Sequence, residues 1–104
     1  MNQQEKDRQE LLTNEVLRAQ SAEAVLNNSE FKRFFDEYRG DLFRKIMESK
    51  GDEIDKREEF YRQLKSLGIM EANLTRAINT GKMARDEMTR LQKLTAVTRN
   101  VVGL

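Results

Sequence analysis

The sequence predicts an all-α protein, and two features of its 104 residues support that prediction. Proline is absent and only five residues are glycine, so few positions would interrupt a long helix. Apolar residues make up 38% of the chain and charged residues 36%, a balance that suits helices which each bury one stripe and expose the rest. We therefore expect a single helical domain over residues 1–104, with residues 1–10 and 99–104 as flexible ends.

The first predicted helix covers about residues 4–26 and carries a thin apolar stripe. Leu12, Val16 and Ala19 follow one another at steps of four and three, the spacing that places side chains on one helix face. The residues that follow, Asn27 to Ser29, have short polar side chains that can accept hydrogen bonds from the free N–H groups at a helix start. One helix is therefore expected to end there and the next to be capped there.

The centre of the chain predicts two antiparallel helices, over about residues 30–49 and 52–80. Four of the five phenylalanines lie in the first of them at helical spacing, a pattern typical of a core or of a helix–helix interface. Between the helices, Gly51 can adopt the left-handed conformation that ends a helix, and Asp52 can cap the next one. Gly81 is expected to end the second helix in the same way. Helices joined by so short a turn should fold back as a hairpin.

The seam of this hairpin follows from its expected fold about Gly51. That fold sets Gly68 opposite Phe34 and Phe35, so that the aromatic rings would fill the space left by the glycine. The seam, or the interface with another chain, is expected to consist of the apolar residues that recur along both helices together with this glycine. They are Phe31, Phe34, Phe35, Tyr38, Leu42, Phe60, Leu64, Leu67, Gly68 and Leu74.

A last helical segment is predicted over about residues 83–98, where Ala84, Met88 and Leu91 have helical spacing before β-branched residues lower helix propensity. Residues 82–104 carry five basic groups against two acidic ones, the one mildly cationic region of the chain. A solvated helix face accounts for this charge. The alternative is contact with nucleic acid, for which the candidate residues are Arg76, Lys82, Arg85, Arg90, Lys93 and Arg99.

The residues that the sequence lacks disfavour several functions. It has no cysteine and no histidine, which removes thiolate chemistry, the commonest metal ligand and the usual general base. The acidic residues between Asp52 and Glu59 are not spaced as a calcium loop, and in the first turns of a helix they oppose the helix dipole favourably. No nucleophile is paired with a base, and no apolar run reaches the ~20 residues of a membrane span. We expect no catalytic residue, cofactor, metal or membrane contact.

The residues around Gly68 admit a second interpretation, as part of a helix-turn-helix. Gly68 and the aliphatic Ile69 fit the turn of such a motif. Leu64, however, takes the position of a small residue that lets two helices approach, and Met70 takes the position of a capping Ser or Thr. A DNA-binding module over about residues 60–82 is therefore the alternative, and it requires the helix to break at Gly68.

The order of these signals resembles that of small helical proteins encoded in bacteriophage genomes. The resemblance covers about residues 18–90: a short segment that ends in asparagine leads into an aromatic helix, and the following helix ends in a Gly-Lys pair. Ser29 departs from the pattern, which often has proline there. The matching residues are Ala22, Leu26, Asn27, Phe31, Arg57, Glu58, Tyr61, Leu64, Leu67, Leu74, Ile78, Gly81, Lys82 and Ala84.

This resemblance implies a phage product of the virion-assembly or DNA-packaging region, located in the host cytoplasm or in the virion. The leading hypothesis is a non-enzymatic structural or assembly protein that acts through helix–helix packing. Seven aromatic residues on so thin a chain would leave apolar surface exposed in a monomer, and such surface usually marks an interface. The expected partner is a second copy of the chain, a phage structural protein or both, with nucleic acid as the alternative.

Overall fold

The computed structural model describes residues 2–102 of the chain, with side chains through residue 95, and its elements are three helices. Helix α1 spans Gln3–Asn27, α2 spans Ser29–Glu48 and α3 spans Ile54–Val102. The prediction of an all-α fold is confirmed. The flexible end expected at residues 99–104 and the candidate nucleic-acid residue Arg99 lie beyond residue 95, where the described side chains end.

Helix α2 begins at a local capping signal. The side-chain oxygen of Asn28 accepts a hydrogen bond from the backbone N–H of Phe31 at 2.8 Å. This bond satisfies one of the N–H groups that a helix start leaves without a partner inside the helix. The capping site predicted between Asn27 and Ser29 is therefore confirmed, with Asn28 as the N-cap residue.

The connection between α2 and α3 differs from the predicted glycine turn. Helix α2 ends at Glu48, and the C-cap residue Ser49 has an extended backbone (φ −65°, ψ 140°) and donates its N–H to the carbonyl of Ile46. Gly51 does not adopt the left-handed conformation. Glu53, and not Asp52, holds the start of α3: its carbonyl accepts from the N–H of Arg57 at 3.1 Å, and its carboxylate accepts from the N–H of Lys50 at 3.0 Å.

The predicted helix end at Gly81 is wrong. Helix α3 runs without interruption from Ile54 to Val102, so the segments expected at 52–80 and 83–98 are parts of one helix. Gly81 has no left-handed φ, and it is buried. Its lack of a side chain serves helix packing, since a Cβ at this position would overlap the Cβ of Ala19.

The chain divides into two compact units, and α3 contributes to both. The first unit contains the chain up to Glu23 together with α3 from Arg76 onward. The second unit is Ala24–Thr75.

In the first unit, α1 packs antiparallel against the distal part of α3. Arg8 pairs with Glu87, whereas Glu15 and Ala19, further along α1, lie against Gly81, which comes earlier in α3. The position of a Cβ on Gly81 is only 3.1 Å from the backbone oxygen of Glu15 and 3.5 Å from the Cα of Ala19, so the two backbones approach closely. Among the described side chains of this unit, the buried ones are Leu12, Ala19, Ala22 and Ala84.

In the second unit, α2 packs antiparallel against the proximal part of α3. Lys45 lies over the ring of Phe60 at 5.5 Å, and the side chain of Arg57 donates to the hydroxyl of Ser49 at 2.8 Å. Both pairs are centred near Glu53, about two residues beyond Gly51, because the connection continues to Glu53 before α3 starts. The packing of this unit is built around two buried side chains of α2, Phe35 and Leu42.

The predicted register at Gly68 is therefore wrong. Apart from its chain neighbours and the adjacent backbone of its own helix, nothing lies within 4 Å of a Cβ built on Gly68, so neither Phe34 nor Phe35 fills its space. Phe35 is buried, but Phe34 is 60% exposed.

Candidate protein-interaction surface

The residues predicted for the hairpin seam separate into an inner and an outer group. Phe35 and Leu42 are buried, at 9% and 1% exposure. Phe34, Tyr38 and Gly68 are exposed. The remaining predicted seam residues are half-buried and belong to the inner group: Phe31, Phe60, Leu64, Leu67 and Leu74.

Aromatic and cationic side chains stabilise the inner group. The rings of Phe31 and Phe35 lie 5.7 Å apart between centroids with a 35° tilt. The guanidinium of Arg39 lies 4.7 Å from the centre of the Phe35 ring and also pairs with Glu71 of α3 at 3.0 Å. Arg39 thus covers the core ring and joins the two helices, which a lysine could not do with the same planar contact.

A stripe of exposed residues runs along α2 outside this core. Gly40, Phe43 and Met47 follow one another at steps of three and four, so they share one helix face. Phe43 is 52% exposed and Met47 83% exposed. A Cβ built on Gly40 would have open space around it. The stripe therefore has a gap at Gly40, next to the protruding side chains of Phe43 and Met47.

A longer exposed stripe runs along α3. Its six residues are separated by steps of four and three, the heptad spacing of a helix-packing face. Two of them are large and apolar, with Ile54 at 54% and Tyr61 at 59% exposure. In chain order the residues are Ile54, Glu58, Tyr61, Lys65, Gly68 and Ala72.

Both stripes lie on the same side of the α2–α3 pair. The ion pair between Arg39 and Glu71 joins the helices along one edge, and Phe43 and Gly68 each lie about one helical turn from a member of it. The hydrogen bond from the Tyr38 hydroxyl to Gln63, at 3.3 Å, marks the opposite edge. We call the two stripes together the Phe43–Tyr61 face: Gly40, Phe43 and Met47 of α2 with Ile54, Glu58, Tyr61, Lys65, Gly68 and Ala72 of α3.

The candidate nucleic-acid residues lie on the distal half of α3. Lys82, Arg85, Arg90 and Lys93 are exposed, and none forms an ion pair with a described acidic residue within 4.0 Å. Arg76 is also exposed. The helix-turn-helix interpretation fails geometrically, because α3 continues through Gly68 and provides no turn over residues 60–82.

Of the acidic residues near the start of α3, Glu53 acts within the connection between the helices. The carboxylate of Glu53 accepts from the backbone N–H of Lys50 and pairs with Lys56 at 3.0 Å. The hydrogen bond from Lys50 and, next, that from Lys56 hold the pKa of Glu53 below its ordinary value. Among the described residues, no group of acidic side chains is arranged to hold a metal ion. Nor does any helix in the described part of the chain combine the length and apolar character that crossing a membrane requires.

Two parts of this architecture are not apparent from the sequence alone. The helical spacing of the sequence does not pair Ala19 with Gly81, and it predicts Phe43 as part of the aromatic core or interface stripe of residues 30–49 but does not include Met47. The heptad spacing of Gly40, Phe43 and Met47 is readable in the sequence. Burial decides whether such a stripe faces the core or solvent, and burial needs the register between the helices.

Comparison with known proteins found no family model, no curated protein and no solved structure that matches this chain.

Proposed function

We propose that this chain is a non-enzymatic structural or assembly protein that acts by helix–helix packing, in the first place with a second copy of itself. One observation carries the proposal. Among the described side chains, fourteen large apolar residues are exposed, whereas six apolar residues are buried, three of them alanines. Exposed apolar surface that forms continuous stripes is typical of protein interfaces.

Burial of the apolar side chains on the Phe43–Tyr61 face would supply free energy for association. Full burial of a Phe, Met or Ile side chain is worth about 1.5–3 kcal/mol. The face presents Phe43, Met47, Ile54 and Tyr61, each more than half exposed. Contact between two copies would bury eight such side chains. The free energy gained would offset the cost of the translational and rotational freedom that the two chains lose on association.

The resemblance to phage-encoded helical proteins supports a role in virion assembly or DNA packaging. A protein in that role would act in the host cytoplasm or within the virion, and docking to a larger structural protein would use the same kind of exposed helix face. Docking would use outer helix faces such as the Phe43–Tyr61 face, because α1 and α2 each pack on α3 through their buried residues.

The test is the oligomeric state of the full chain. Light scattering coupled to size exclusion, over a wide range of protein concentrations, is expected to give a mass above that of the monomer that rises with concentration. A chain that stays strictly monomeric at the highest concentration would contradict self-association.

Binding to DNA is the second candidate function, and the exposed cations of distal α3 favour it. Lys82, Arg85, Arg90 and Lys93 lie within twelve residues of the chain, with Asp86 and Glu87 as the acidic groups between them. Phosphate contacts of this number would make DNA affinity fall steeply with salt. Duplex DNA of mixed sequence should then be retarded in a gel at about 50 mM salt, and the absence of any retardation would eliminate this function.

A further inference from the structure

We infer that the Phe43–Tyr61 face binds the same face of a second copy, around a twofold axis that runs across α2 and α3 at the level of Phe43 and Tyr61. This inference rests on the proposed function, self-association, and specifies its surface and register. Three observations on α2 and α3 support it: the level of the two central residues, the charges on either side of them and the positions of the glycines.

The two central residues lie within two residues of the same level of the helix pair. The contacts of Lys45 with Phe60 and of Ser49 with Arg57 set the register, and the same register places Phe43 beside the two residues that follow Tyr61, Arg62 and Gln63. One twofold axis across both helices at this level lays each helix antiparallel on its own copy. In such an isologous contact, a residue that precedes the centre meets the residue that follows it by the same distance in the second copy.

The charges on α3 are complementary under this operation. Glu58 precedes Tyr61 by three residues and Lys65 follows it by four, so Glu58 meets Lys65 of the second copy. Lys65 has no ion pair with a described acidic residue within 4.0 Å of its side chain, and Glu58 has one long contact, with Arg62 at 3.7 Å. The dimer would thus contain this ion pair twice.

The glycines are complementary to the protruding side chains under the same operation. Gly68 follows Tyr61 by seven residues and Ile54 precedes it by seven; likewise Gly40 and Met47 flank Phe43 at three and four residues. Each glycine has open space within 4 Å, and Ile54 and Met47 are 54% and 83% exposed. The two exposed apolar side chains of one copy therefore enter the two gaps of the other, which explains why glycine is present at these two helical positions.

Charge reversal tests the register. Lys65→Glu would place two like-charged pairs across the axis, and so would Glu58→Lys. We expect each single variant to raise the dimer dissociation constant at least tenfold, measured by sedimentation equilibrium on the full chain. The double variant E58K/K65E restores the pairs with exchanged signs and should return the constant to near the wild-type value. A double variant as weak as the singles, or singles with no effect, would overturn the inference.

Apolar and glycine substitutions test the face itself. Met47→Glu is expected to abolish the dimer, whereas Met83→Glu, which changes a methionine 72% exposed in the first unit, should leave it intact. Gly68→Leu gives a separate readout, since leucine favours the helix more than glycine does and yet would fill the gap that receives Ile54. We expect raised helix stability together with a weaker dimer.

The outcomes also separate this inference from the proposed function. A wild-type chain that is monomeric at every concentration would contradict both the proposed self-association and the proposed dimer surface. If the oligomer persists in M47E, K65E and G68L and the circular dichroism of these variants is unchanged, self-association is supported and only the proposed surface is overturned.

Discussion

Gly81 of α3 lies directly against Ala19 of α1, so closely that a Cβ at position 81 would overlap the Cβ of Ala19. The glycine is inside a continuous helix, where it lowers helix propensity relative to alanine. What it provides is the close approach of two helix backbones. The carbonyl of Glu15 is 3.1 Å from the position that a side chain would take, and backbone has little freedom to move aside.

Gly81→Ala should destabilise the first unit. Overpacking costs about 1–3 kcal/mol, and the better helix propensity of alanine offsets about 1 kcal/mol of it. We expect a net decrease in the free energy of unfolding in urea. Gly40→Ala is the matched control, because nothing lies within 4 Å of that position. In dilute solution it should stabilise the chain by about 0.5–1 kcal/mol. Equal stabilisation by both substitutions would contradict the close approach at Gly81.

Leu42→Ala should be strongly destabilising, since this side chain is 1% exposed and occupies the centre of the α2–α3 packing. Truncation of a buried leucine leaves a cavity and costs about 2–5 kcal/mol. Phe34→Ala removes a larger side chain from the same helix, but from a position 60% exposed. It should change the free energy of unfolding by roughly 0.5 kcal/mol or less. Chemical denaturation followed by circular dichroism compares the two, and a larger effect at Phe34 would show that the register of α2 is different.

Glu53 should make stability depend on pH in the acidic range. Its folded-state pKa is lowered from an ordinary 4.5, first by the N–H of Lys50 and then by Lys56. The carboxylate therefore stabilises the folded state above its unfolded-state pKa, and this contribution is lost as pH falls from about 4.5 through the lower folded-state pKa. Glu53→Gln should lower the thermal midpoint at pH 7, and the difference from wild type should shrink as the solution is acidified below 4.5. Glu10→Gln controls for the change in net charge.

The ion pair between Arg8 and Glu87 should hold the first turns of α1 against α3. The guanidinium makes two contacts with the carboxylate, at 2.6 and 3.2 Å, while the Arg8 side chain remains half exposed. Glu87→Gln should increase hydrogen exchange at the backbone amides before Leu12, and high salt should have a similar effect on the wild type. Exchange that is rapid in wild type and unchanged in the variant would show that the first turns fray regardless of this pair.

The same contacts indicate why sequence reasoning succeeded at some positions and failed at others. The cap at Asn28 depends on a residue three positions away, so it was readable locally. The end of α2 also depends on neighbours, but the extended backbone of Ser49 replaced the expected glycine conformation at Gly51. The helix end expected at Gly81 failed for a different reason, because the packing of α1 gives that glycine a role inside the helix.

The sequence by itself determined that this protein is all-α, since composition, helical spacing and the cap at Asn28 act over a few residues. Only the tertiary structure decided that one helix runs from Ile54 to Val102, that Gly81 packs on Ala19 and that Phe43 and Met47 face outward. Those features depend on the register between helices, and register is set by contacts such as the pair of Arg8 with Glu87, which lie 79 residues apart. A periodic stripe states which residues share a helix face; the element packed against that face decides whether they are core or surface.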